Sequence, residues 1–152
     1  GWYLWREHVI GMKKPQPVRD NATMTQLIIV AHAPLASALK AVAHHAFPEL
    51  APTIAVIDVE SDEAPEGVTA RLRACLPAGV SALILVDAMG ATPCNAAQPL
   101  AREGEVSIVA GVSVPMLWRA LCYAHEPLAA RTQRALDGAV GGAVIVSPLS
   151  NP

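Results

Sequence analysis

Residues 27–42 read LIIVAHAPLASALKAV and hold a strand, a turn and the opening of a helix in one stretch. Leu27-Ile28-Ile29-Val30-Ala31 is an unbroken apolar run, the pattern of a strand covered on both faces. The run stops at His32. Pro34 suits the first turn of a helix, where its missing N–H breaks no hydrogen bond. Leu35, Leu39, Val42, Ala43 and Ala46 then recur at helical spacing and mark one apolar stripe.

The same grammar repeats downstream. Ile54 to Val59 reads as a second strand, and Asp62 and Glu63 stand where they would cap a helix carrying Val68, Leu72, Cys75 and Leu76. Ala82 to Val86 is a third apolar run, ending at Asp87. The loop Ala88-Met89-Gly90-Ala91-Thr92 leads to Pro93 and a short helix through Asn95, Ala96, Ala97 and Leu100. Val106 to Val112 is a fourth strand. Pro115 opens a helix with Met116, Leu117, Ala120 and Leu121 inward. Pro127 opens another, with Leu128, Thr132, Ala135 and Leu136 inward, and Asp137-Gly138 is expected to stop it. Ala143 to Val146 reads as a last strand. Strands alternating with helices predict an α/β fold. The expectation is a doubly wound, mainly parallel sheet of four strands plus a C-terminal edge strand, with helices on both faces.

Bulk composition agrees. The 152 residues suit one domain, and 53% hydrophobic against 16% charged residues excludes a disordered chain. With aromatics at 4%, the core must be built from Ala, Val, Leu and Ile. A net charge of −2 gives no footprint for nucleic acid, and no apolar run reaches the roughly 18 residues of a membrane span. Cys75, Cys94 and Cys122 are far apart, odd in number and without a CxxC pair, which reads as reduced thiols in a cytoplasmic protein. Residues 1–23 mix aromatics, charges and prolines, and are read as a leader or expression-derived segment outside a domain spanning 24–152.

In doubly wound sheets, ligands bind beyond the carboxyl ends of strands, where the strand order reverses. The first and third strands usually flank that point, so His32 and Asp87 are expected in one crevice. A carboxylate accepting one ring N–H fixes the imidazole tautomer and leaves the other nitrogen's lone pair free. It also offsets the charge that the ring gains on phosphorylation. Gly90 permits close backbone approach, and Thr92 brings a hydroxyl to a helix start, an anion site. Taken singly, a strand-end His or Asp is most simply structural. Together with the loop they specify phosphoryl transfer through phosphohistidine. His44 and His45 would point about 100° apart on a helix and read as a solvated helix end rather than metal ligands. His125 reads as a complement to a helix dipole, and Cys94 as a structural thiol. Met89 is either an ordinary loop residue or part of an apolar docking surface. No cofactor is expected.

Three segments together resemble the mannose-type enzyme IIA family of the phosphoenolpyruvate-dependent sugar phosphotransferase system. They are LIIVAHAPLASALKAV, LILVDAMGATPCNAA and VSIVAGVSVPMLWRAL, and the likeness runs from Met24 to about Val146. The resemblance implies a phosphocarrier that accepts a phosphoryl group on His32, at Nε2, with Asp87 holding Nδ1. It implies Thr92, with Gly90 and Ala91, as phosphoryl ligands. It also implies the phosphocarrier HPr as donor, an enzyme IIB histidine as acceptor, and a homodimer in which the final strand is exchanged or packed between subunits. Three positions depart from the family pattern: Gly90-Ala91 stands for a double glycine, Cys94 for a common Phe, and Ser113 for the usual Asn. The readings that compete are a regulatory enzyme IIA without a permease, the phosphotransfer subunit of dihydroxyacetone kinases, and a receiver phosphorylated on Asp87. The last lacks the acidic residues after the first strand that would hold magnesium.

Overall fold

The computed structural model describes residues 25–148; the expected leader lies outside them. The elements run β1 (Gln26–His32), α1 (Leu35–Ala46), a single 3-10 turn (Ala51–Thr53), β2 (Ala55–Val59), α2 (Pro65–Cys75), β3 (Ala82–Val86), α3 (Thr92–Glu103), β4 (Val106–Ala110), α4 (Val114–Cys122) and α5 (Leu128–Gly142). All strand pairs are parallel, and the order in the sheet is β2-β1-β3-β4. The chain steps one way from β1 to β2 and the other way to β3, so the order reverses between β1 and β3.

The apolar runs are covered on both faces, as their continuity predicts. Every residue of β3 is buried, and so are Leu27 to Ala31 of β1. The pleat sorts them: Leu27, Ile29 and Ala31 pack with α1, α4 and α5, whereas Ile28 and Val30 pack with α2 and α3. Burial at roughly 25 cal/mol per Å² of apolar surface makes this three-layer core the dominant stabilising contribution.

Four sequence expectations are corrected. Asp62 and Glu63 do not cap α2, which begins at Pro65 after Ala64 with no side-chain cap. Glu63 instead accepts from the Glu60 N–H at 3.0 Å and pairs with Arg71 at 2.9 Å. Gly138 does not stop α5. The helix runs on to Gly142, because small residues are needed where it crosses α4: a Cβ on Gly138 would lie 2.6 Å from Arg119 Cγ, and one on Gly142 would lie 2.5 Å from Pro115 Cβ. That crossing also sets the inward face, so Arg131, Ala135 and Gly138 are buried while Leu136 is exposed. Finally, Ala143 to Val146 is not a strand of the sheet among the described residues. Its side chains stand in solvent, Ile145 at 96% exposure, and no strand among the described residues pairs with it to supply hydrogen bonds.

Arg131 carries a feature that periodicity missed. Its side chain is buried, donating from Nε to Ala120 O (2.7 Å) and from an Nη to Thr25 O (3.1 Å). It thereby joins the end of α4 to the start of β1. Burial pulls the guanidinium pKa down to about 10.

A histidine–aspartate site at the switch point

His32 is the last residue of β1, and Asp87 follows the last residue of β3. Because β1 and β3 pair in register from Gln26↔Ala82 to Val30↔Val86, both residues emerge at the same carboxyl edge, at the point of reversal. The His32 Nδ1 lies 2.6 Å from Asp87 Oδ2, and the His32 backbone N–H donates to the same oxygen at 2.9 Å. Oδ1 accepts from the Ala88 N–H at 2.9 Å. The carboxylate is thus largely enclosed, at 14% side-chain exposure, while the imidazole is 54% exposed. Burial works to raise the Asp87 pKa, but the His32 backbone and ring hydrogen bonds and the Ala88 N–H together hold it below the ordinary carboxylate value. The carboxylate is ionised at neutral pH. An ionised carboxylate can only accept here, so the contact suits the tautomer protonated at Nδ1, in which the Nε2 lone pair is free.

The loop after Asp87 turns at Gly90, whose φ of +83° lies in the left-handed region. Ala91 has φ −86°, an extended conformation open to any residue. The reduction from two glycines to one is therefore conformationally free, since only the retained glycine needs a positive φ. Asn95 on α3 donates from Nδ2 to Gly90 O at 3.1 Å and ties the loop down. Thr92 is the half-buried first residue of α3, with Pro93 in the same first turn. Ser113 likewise fills the place of the usual Asn: it is the N-cap of α4, its Oγ accepting from the Met116 N–H at 3.2 Å.

Of the other residues weighed, Cys94 is buried in α3, which fits a structural thiol. His44 and His45 are exposed in the last turn of α1, and His125 is exposed past the end of α4. Among the described residues, no group of three or more His, Cys, Asp or Glu could hold a metal ion, and no helix is long and apolar enough to cross a membrane. Leu35 and Met89 are exposed, the latter at 84%, each within three residues of the pair.

A doubly wound parallel domain with a histidine–carboxylate pair at its switch point defines a class able to carry a group on the imidazole. The particular family follows from comparison. The family model EIIA-man, described as the PTS system fructose IIA component, matches residues 26–136, and the chain belongs to this family. No curated protein sequence matches it significantly. Among solved structures, it is similar to the mannose/sorbose specific IIA subunit of the phosphotransferase system from Enterococcus faecalis. The TM-score is 0.77 at 22% identity, covering 84% of this chain and 98% of that one. The EIIA component from Streptococcus agalactiae gives a TM-score of 0.72 at 20% identity, covering 80% and 97%. The PTS IIA protein associated with the fucose utilization operon of Streptococcus pneumoniae gives 0.67 at 15%, covering 82% and 95%. At these identities the likeness speaks for the fold.

Proposed function

We propose that the protein is a phosphocarrier that accepts a phosphoryl group from phosphorylated HPr on His32 and passes it to an enzyme IIB histidine for sugar uptake. The observation that carries this reading is the 2.6 Å contact between His32 Nδ1 and Asp87 Oδ2, beneath an otherwise exposed ring. The Nε2 lone pair attacks phosphorus, the P–N bond of the donor breaks, and its electron pair returns to the donor imidazole. The His32 ring gains positive charge, which the Asp87 carboxylate offsets through the retained Nδ1 proton. Transfer to enzyme IIB reverses these steps. Thr92 and the backbone at Gly90 and Ala91 receive the phosphoryl oxygens, aided by the positive end of α3. The exposed Leu35 and Met89, each within three residues of the pair in sequence, suit contact with the partner proteins.

A homodimer completes the reading. Val144, Ile145 and Val146 are 70–96% exposed and follow directly after α5. Pairing this apolar segment with a second copy gives its backbone the hydrogen bonds that a lone extended segment lacks.

The test is transfer of labelled phosphate from phosphoenolpyruvate through enzyme I and HPr. Wild type should acquire acid-labile label and His32→Ala none. An unlabelled wild type would contradict the relay. Sedimentation of the full chain should give a dimer, and Ile145→Asp should shift it towards monomer.

A further inference from the structure

The turn that follows His32 is held by a second carboxylate. Helix α1 has no cap of its own: its N-cap residue is Pro34, which has no polar side chain, and no acidic residue stands in its first turn. The missing acceptor comes from the end of β2, 21 residues along the chain. Asp58 Oδ1 accepts the Ser37 backbone N–H at 3.1 Å, and the Ser37 hydroxyl donates to Oδ2. The neighbouring Val59 accepts the Ala33 N–H through its carbonyl at 2.9 Å. In the sheet, Asp58 lies opposite Ala31 and Val59 opposite His32. The end of β2 thus grips the chain on the α1 side of His32, while Asp87 on the β3 side grips the His32 backbone and ring.

We propose that Asp58 and Ser37 are a positioning pair, holding the His32–Leu35 turn so that the imidazole meets Asp87 and the incoming phosphorus together. This rests on the phosphocarrier reading above. The physical ground is that a group-transfer rate depends steeply on geometry, and a displacement of about 1 Å can cost about a hundredfold. His32 ends a strand and begins a turn, so nothing regular continues beyond it to fix its backbone. The bonds from Ala33 and Ser37 to β2 supply that constraint. An exposed cap serving stability alone would leave transfer untouched.

The experiment measures single-turnover phosphorylation of His32 at varied phosphorylated HPr, taking the maximal rate as kcat and the half-saturating concentration as KM, for wild type, Asp58→Ala, Asp58→Asn and Ser37→Ala. Circular dichroism checks that each variant is folded. Asp58→Ala should lower kcat by about tenfold or more while KM for phosphorylated HPr stays within about twofold. Asp58→Asn should recover most of kcat, because its amide oxygen still accepts the Ser37 N–H. Ser37→Ala should fall between them, which keeps the test decisive if Asp58→Ala fails to fold. Folded variants that all keep the wild-type kcat would overturn this proposal alone. A wild type that takes no phosphate would overturn the phosphocarrier reading and this proposal with it.

Discussion

One carboxylate oxygen, Asp87 Oδ2, accepts both the backbone N–H of His32 at 2.9 Å and bonds its ring Nδ1 at 2.6 Å. A single atom on β3 therefore orients both the strand end and the side chain of a residue on β1. The two bonds couple the ring's tautomer to the position of its own backbone. Asp87→Asn keeps the shape but can present its N–H₂ to the ring, reversing the tautomer. We expect phosphorylation of His32 in that variant to be slower by about a hundredfold or more, read as kcat with phosphorylated HPr as donor.

The same carboxylate gives stability a defined pH dependence. Its folded pKa lies below the unfolded value, since the hydrogen bonds from His32 and Ala88 outweigh the opposing effect of burial. The unfolded chain thus binds the proton more readily, so the contribution is present above the ordinary carboxylate range and is lost as pH falls through the lower folded pKa. Urea unfolding should show Asp87→Asn less stable than wild type near pH 7, with the gap narrowing by about pH 3. A constant gap across that range would contradict the assignment.

Gly90 and Ala91 make opposite predictions at adjacent positions. Gly90→Ala forces a side chain into a φ of +83° and should cost about 1 kcal/mol, with slower phosphorylation as the loop shifts. Ala91→Gly changes a residue already at φ −86° and should leave the loop geometry intact, with stability lowered only slightly by added chain entropy. Thermal unfolding and phosphorylation rates of both variants check the pair.

The α4–α5 crossing can be tested without touching the site. Gly138→Ala places a Cβ 2.6 Å from Arg119 Cγ and 2.7 Å from Pro115 O, and should destabilise by about 1–3 kcal/mol. Gly141→Ala meets nothing within 4 Å and lies in the same helix, so it should stabilise by up to about 1 kcal/mol. Chemical denaturation midpoints decide both.

Arg131→Ala removes the donors to Ala120 O and Thr25 O and leaves a void in their place. A loss of about 3 kcal/mol is expected, since each buried carbonyl left without its donor costs about 1–3 kcal/mol. The lesion lies at the start of β1, away from the carboxyl edge, so folded protein should retain its phosphorylation rate.

These residues also show what the sequence could and could not disclose. The strands β1 and β3 were legible because both faces are covered, which writes an unbroken apolar run. His32 and Asp87 were legible because each ends such a run, and the reversal of strand order brings those ends together. The Asp58–Ser37 bond left no periodic trace, since a side chain reaching a helix start 21 residues away obeys no local spacing. Arg131 was hidden because a charged residue on a helix reads as solvated, and only tertiary packing supplies its two carbonyl partners. Gly138 was misread because a glycine near a helix end serves equally as a stop or as room for a neighbour. The segment at Ala143–Val146 has the composition of a strand, but a strand needs a neighbour to pair with.

The most direct test of the central claim is a long-range proton–nitrogen spectrum of the phosphorylated, nitrogen-15-labelled protein. We expect phosphate on Nε2 of His32, its Nδ1 still protonated against Asp87, and the remaining four of the five histidines unchanged. Phosphate on Nδ1 of His32, or on any other histidine, would contradict it.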